Sequence, residues 1–224
     1  MVDAQDIDVQ SIDAIIFDLG GVILNIAYDR TIAAFSQLAG QDIRYLYSQH
    51  LQVDLFDAYE IGHISSEQFR QKLRSLLGLG RADYDISDGI LDAAWNAMLL
   101  DLPPSRLNVL QTLRKRFRLI LLSNTNEIHK TAFEQHLSET VGQSSALAGC
   151  FDAVYYSHLI GDRKPNSSLF QRVVDEQRLV PSRTLFVDDT AGHLCGAQAV
   201  GIKAMHMTSG LTLEALADEL LAIE

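Results

Sequence analysis

Five short apolar runs punctuate the chain: 14–17 (AIIF), 117–122 (FRLILL), 153–156 (AVYY), 184–187 (TLFV) and 203–207 (KAMHM). Each is too short for a buried helix, and most are too uniformly apolar for a strand with one wet face. They read as strands of a parallel sheet covered on both sides. Stretches with helical spacing separate or follow them, at 105–116, 127–138, 167–178, 192–200 and 213–221. Strands alternating with helices imply right-handed βαβ crossovers, and so an α/β fold with a doubly wound parallel sheet.

One interval breaks the alternation. From about Tyr28 to Met98 the sequence is rich in helical periodicity and poor in strand signals. Helices are expected over 31–38, 43–60, 65–77 and 86–99, separated by Gly40, Gly62 and Gly78-Leu79-Gly80. Ser65 followed by Gln68 three residues on is a capping-box start. Pro103-Pro104 returns the chain to the sheet. The expected division is therefore a sheet domain made of 1–26 and 100–224, with a helical unit inserted over 27–99.

With 224 residues, 47% of them apolar, the chain has ample material for such a core. Its net charge of −11 repels phosphate backbones and acidic headgroups, which argues against nucleic-acid or membrane partners. The densest basic stretch, 114–118, reads as charge complementing a helix C-terminus. Cys150 and Cys195 have neither disulfide-framework nor zinc-finger spacing, and no signal peptide or span of about 20 apolar residues is evident. A cytoplasmic protein is expected.

Four chemically suggestive features fall at the C-terminal ends of successive strands, the edge where open α/β sheets bind ligands. Asp18 follows AIIF and precedes Gly20 and Gly21. Ser123-Asn124-Thr125 follows FRLILL, Lys164 lies in GDRKPN after the third strand, and Asp188-Asp189 follows TLFV. Each has a plainer reading: a turn, a helix N-cap, an exposed lysine, another cap. Their common placement favours one shared site.

Asp18, Asp188 and Asp189 offer oxygen ligands for one hard cation, and Mg²⁺ commonly takes carboxylates, waters and substrate phosphate. Small hydroxyls and free backbone N–H groups at 123–125 suit phosphate oxygens. If Asp18 attacks phosphorus, it faces a repulsion of roughly 4 kcal/mol per unit charge pair at about 4 Å and an effective dielectric of about 20. Lys164 and the cation would offset it. The chemistry expected is formation and hydrolysis of an aspartyl-phosphate on a small phosphorylated metabolite.

FDLGGV, LLSNTN, the lysine of RKPN and FVDDTAGHLCGAQAVGI resemble, in order, the four motifs of the haloacid dehalogenase-like hydrolase superfamily. The helical insert resembles its C1 cap, and DAYEIGHISSEQF is similar to the branch that holds sugar-phosphate phosphatases and the phosphatase half of epoxide hydrolases. The resemblance implies Asp18 as nucleophile and Mg²⁺ ligand, the Gly20 carbonyl as a second ligand, and Asp189 as a direct ligand. It implies Asp188 on a metal-bound water or on Lys164, Ser123 with the nearby Asn124 N–H on the phosphoryl group, and Lys164 orienting nucleophile and phosphate.

One departure stands out. Most phosphatases of this superfamily carry an acid/base aspartate where this chain has Gly20, and such a group contributes roughly 10²- to 10⁴-fold in rate. Three outcomes follow: leaving groups that need little protonation, such as anomeric or acyl phosphates; a substitute from the cap, where Asp57, Glu60 and His63 are nearest; or a domain that binds phosphate or a partner without turnover. Glu60 is a candidate substrate contact or a cap-to-core hydrogen bond. A 2-haloacid dehalogenase, in which the resemblance implies an aromatic residue at the Gly20 position and no metal, is disfavoured by Asp188-Asp189. His193 is expected to cap or pack the helix it opens.

Overall fold

The computed structural model describes residues 9–47, 53–79, 86–208 and 210–222. The five apolar runs form one parallel sheet: β1 (Ala14–Phe17), β2 (Arg118–Ser123), β3 (Ala153–Tyr156), β4 (Thr184–Asp188) and β5 (Lys203–His206), in the order β3-β2-β1-β4-β5. β1, which carries Asp18 at its end, is central, with β2 and β4 as neighbours.

Alternate side chains along the strands enter opposite cores, as a period of two requires. Ile15, Phe17, Leu119, Leu121, Leu185, Val187 and Met205 face one side. That side is covered by α5 (Pro104–Leu113), α6 (Glu127–Val141) and α10 (Leu213–Leu221) through residues such as Leu110, Phe133 and Leu216. Ile16, Ile120, Leu122, Phe186 and Ala204 face the other, under α8 (Ser167–Gln177) and α9 (Ala191–Ala199). The helix bounds differ from those expected by at most three residues. A further short helix, α7 (Ser157–Ile160), leaves β3 and was not expected from periodicity.

The strand bounds shift by one residue where it matters. Ser123 is the last residue of β2, paired in register with Tyr156, and Asp188 is the last of β4, paired with His206. Both were expected just after their strands; ladder pairing with the neighbouring edge extends each strand to include them. Their backbones are thereby fixed as strand, not loop.

The interval rich in helical periodicity forms α1 (Tyr28–Ala39), α2 (Asp54–Glu60), α3 (Ser66–Leu76) and α4 (Asp88–Asn96). They enclose an aromatic core in which Trp95 meets Phe35, Tyr47, Phe56 and Phe69. The capping box forms as expected: Ser65 Oγ accepts from Gln68 N at 3.2 Å, and Gln68 Oε1 accepts from Ser65 N at 2.9 Å.

The single helix expected over 43–60 does not form. Asp42 Oδ1 accepts from Arg44 N at 3.0 Å, a local turn that competes with helix, and Ile43, Leu46 and Tyr47 are buried from that turn. Residues 48–52 of that stretch lie outside the described residues. The last expected helix, 86–99, stops at Asn96, because the following backbone pairs elsewhere. Ile26 bridges Leu99 antiparallel, Ala27 N donates to Met98 O, and Leu100 N donates to Asn25 O. These two strands of chain connect the helical bundle to the sheet. Among the described residues no helix is long and apolar enough to cross a membrane.

Candidate active site

The C-terminal edge of the sheet brings together Asp18, Ser123, Asn124, Lys164, Asp188 and Asp189. Asp18 follows β1 and donates its backbone N–H to Val187 O, which fixes it beside β4. Oxygen atoms of Asp18, Asp188 and Asp189 lie within 4.8 Å of one another. Lys164 is fully buried, with its Nζ 2.7 Å from Asp18 Oδ1 and 2.6 Å from Asp188 Oδ2.

The lysine reaches that position because its loop is clamped. Asn124 Oδ1 accepts from Lys164 N at 3.0 Å, and Asn124 Nδ2 donates to Lys164 O at 3.0 Å. The Asn124 side chain is thus spent on the loop, and its backbone N–H is what it has left for a ligand. Asp188 is held by three groups: Lys164, the Thr190 N–H at 2.7 Å, and His193 Nδ1 at 3.0 Å. His193 therefore braces the acidic pair, a role beyond the helix packing expected of it.

The electrostatics follow from burial. Burial pushes the Asp18 carboxyl up to about 8; Asp188 and Asp189 push the same way, and the Lys164 ammonium pulls against them. Burial and Asp188 also raise Asp189. Burial works to raise Asp188 too, but Lys164 and His193 outweigh it and hold that group below the ordinary carboxylate range. For Lys164, burial opposes the charge and the two carboxylates more than restore it.

Two glycines set how closely the first loop approaches this cluster. Gly21 has φ +74°, and a Cβ there would lie 2.2 Å from Asp189 Oδ2. Only a residue without a side chain lets the turn, closed by Gly21 N donating to Leu24 O, pass the carboxylate. Gly20 has no such constraint, but a Cβ there would meet Ile26 Cδ1 at 3.1 Å. An apolar side chain thus occupies the space beside Gly20, where the resemblance would have placed an acid/base aspartate.

A cavity of about 60 Å³ opens on the cluster, lined in part by Asp18, Gly20, Ser123, Asn124, Lys164 and Asp189. Glu60 is not in its wall. It pairs with Arg163 Nη2 at 3.1 Å, and Asp57 also pairs with Arg163, so these groups of α2 hold the bundle to the loop that carries Lys164. His63 is exposed. Two wall residues not singled out in the sequence are Tyr28 and His129. His129 had a legible signal: it lies in the first turn of α6, four residues after the Ser123-Asn124-Thr125 strand end.

Comparison with known proteins agrees with this architecture. The model of the haloacid dehalogenase-like hydrolases matches residues 12–201, and the chain belongs to that family. A D-ribitol-5-phosphate phosphatase of Bacteroides thetaiotaomicron is 28% identical over 197 residues, covering 88% of this chain and 92% of the relative. A haloacid dehalogenase family enzyme from the same organism, solved as a mutant with magnesium and inorganic phosphate, superposes with a TM-score of 0.80 at 29% identity, over 89% of this chain and 96% of its own. A haloacid dehalogenase-like hydrolase from Porphyromonas gingivalis gives a TM-score of 0.81 at 27% identity, over 96% of this chain and 100% of its own.

Proposed function

We propose that the chain is a Mg²⁺-dependent phosphoric monoester hydrolase acting on a small organic phosphate, sugar phosphates first, through an aspartyl-phosphate on Asp18. The observation that carries this reading is the cluster itself: three carboxylates, two of them paired with one buried ammonium, opening on a cavity that Ser123 and Asn124 also line. One relative named as a D-ribitol-5-phosphate phosphatase, and a family enzyme solved with magnesium and inorganic phosphate, support it.

The donor set fits a hard divalent cation, since all the offered ligands are oxygens and Gly21 leaves the Asp189 carboxylate unobstructed. Asp18, the Gly20 carbonyl and Asp189 would hold the cation, with Asp188 bracing them. Bound there, Mg²⁺ supplies positive charge that neutralises phosphate oxygens and favours ionised carboxylates. The Asp18 carboxylate then attacks phosphorus in line. The Asp18 O–P bond forms as the P–O bond to the leaving oxygen breaks, and that oxygen departs with a proton from solvent. Ser123 Oγ and the Asn124 N–H hold the phosphoryl oxygens while Lys164 fixes the Asp18 carboxylate against them. Water then attacks the phosphorus of the acyl phosphate, which releases inorganic phosphate and restores Asp18.

The work divides between a sheet domain, 1–26 and 100–224, and a helical cap, 27–99, whose side chains meet the substrate. Both cysteines are free thiols, Cys195 an exposed one, which supports a reducing, cytoplasmic location. The apolar neighbour of Gly20 favours a second reading, a phosphate-binding domain without turnover. A phosphate-release screen over phosphosugars, nucleotides and acyl phosphates, with Mg²⁺ and with chelator, separates the two. Metal-dependent release abolished by Asp18→Asn is the expected result. Phosphate affinity without release from any substrate would overturn the enzymatic reading, and halide release from a short haloacid in chelator would replace it by a dehalogenase.

A further inference from the structure

His129 is held by three contacts, two of them on its ring. It stacks on Trp95, with ring centroids 4.5 Å apart and planes 21° from parallel. Its backbone N–H donates to Asn126 Oδ1 at 3.0 Å, and the same oxygen accepts from Trp95 Nε1 at 3.3 Å. Its Nδ1 faces Asn96 Oδ1 at 2.8 Å. An amide oxygen can only accept, so the proton sits on Nδ1 and the lone pair of the neutral ring sits on Nε2.

That Nε2 is buried and has no hydrogen-bond partner among the described residues. The residue is 6% exposed and lines the cavity that holds Asp18 and Lys164, whose wall also includes the apolar Leu24, Met98, Leu99 and Phe133. A buried acceptor left unpaired is costly, and at the wall of a cavity a bound water or ligand can supply the missing donor.

We propose that His129 is a specificity-determining residue: its Nε2 accepts a hydrogen bond from a hydroxyl of the substrate's alcohol portion, close to the phosphorylated carbon. The inference rests on the phosphatase reading and narrows it to esters of polyols or sugars with a hydroxyl beside the ester. Three features support the acceptor assignment. Burial lowers the His129 pKa to about 3, so the ring stays neutral at physiological pH. Asn96 fixes the tautomer. His129 shares its cavity with Asp18, Ser123 and Lys164, so the hydroxyl it reaches is one near the phosphoryl group. A site built around a hydroxyl rejects the analogue lacking it far more strongly than an apolar pocket does.

The test compares kcat/KM for two ester pairs that differ by hydroxyls: glycerol 3-phosphate against n-propyl phosphate, and glucose 1-phosphate against 2-deoxyglucose 1-phosphate. The wild type should favour the hydroxylated member of at least one pair by about 10- to 100-fold. His129→Phe should collapse that ratio toward one, and His129→Gln, which keeps an acceptor, should retain part of it. Near-UV circular dichroism checks the variants, with His129→Met as the flexible space-filler should the phenyl ring prevent folding. Equal rates within both pairs, or a ratio that survives in a folded Phe or Met variant, would overturn the inference. If the wild type turns over neither these esters nor acetyl phosphate, the phosphatase reading fails separately. Calorimetric binding of the same pairs to wild type and variant then decides the hydrogen bond on the same criterion.

Discussion

Gly21→Ala tests whether the first loop is shaped by the carboxylate it passes. The added methyl carbon would stand 2.2 Å from Asp189 Oδ2, while ordinary contact begins near 3.4 Å, so carboxylate and loop must part by about 1.2 Å. The backbone adds its own penalty: alanine at φ +74° costs roughly 1–2 kcal/mol. That much destabilisation lowers the melting temperature by about 2–8 °C in a chain of this size. A ligand displaced by about 1 Å costs roughly 100-fold where geometry governs rate.

The neighbouring glycine is the internal control. A methyl at Gly20 meets only the flexible end of Ile26, at 3.1 Å, with no left-handed backbone to strain. Phosphate release measured across a Mg²⁺ titration should therefore show Gly21→Ala with a half-saturating Mg²⁺ concentration raised at least about tenfold and kcat/KM lowered about 100-fold. Gly20→Ala should stay within about tenfold of wild type in both. Equal losses from the two substitutions, or a destabilised Gly21→Ala with normal Mg²⁺ dependence, would refute the claim that Gly21 exists to clear Asp189.

Two further outcomes follow from burial. Arg163→Met leaves the buried Glu60 without its guanidinium and should cost about 2–4 kcal/mol, whereas Asp57→Ala removes a partner whose side chain is 48% exposed and should cost under about 1 kcal/mol; urea midpoints measure both, and equal costs would sink the reasoning. His129 carries a pKa of about 3 in the fold against 6.5 when unfolded, so below pH 6.5 the unfolded chain takes up a proton that the folded chain refuses. Stability must fall with pH there, by roughly 2 kcal/mol at pH 5 from this group. Urea unfolding at pH 7.5 and 5.0 should show that loss in the wild type and not in His129→Gln, and identical pH dependence would refute it.

The sheet was legible because its strands are buried on both faces and so stand out as uninterrupted apolar runs; Asp18, Lys164 and Asp189 were legible because turns follow those runs. What escaped detection depends on contacts between distant segments. The turn at Asp42 breaks an apparently continuous helical pattern, because a side-chain oxygen competes for Arg44 N and periodicity does not register that. Ile26 fills the space beside Gly20 only because its backbone pairs with Leu99, far along the chain. His129 gains its tautomer from Asn96 and its orientation from Trp95, both in the helical insert. The burial of Lys164, though not its place in the site, depends likewise on a distant partner, since Asn124 clamps its loop from both sides.

The charge balance of the site ties these parts together. Three carboxylates face a single buried ammonium, and the consequence is written on Asp18, which burial and its acidic neighbours raise to about 8. Burial and the acidic neighbours thus work against the ionised carboxylate that attack on phosphorus needs, and only Lys164 works for it. The protein groups alone therefore leave the site short of positive charge, and additional positive charge beside Asp18 is what would ionise it. The same shortage sets the demands on the substrate. Ile26 stands beside Gly20, which favours a substrate whose leaving group needs little protonation, and the proposed recognition falls to the neutral acceptor at His129. A small ester whose leaving oxygen departs easily and whose neighbouring carbon bears a hydroxyl meets both conditions.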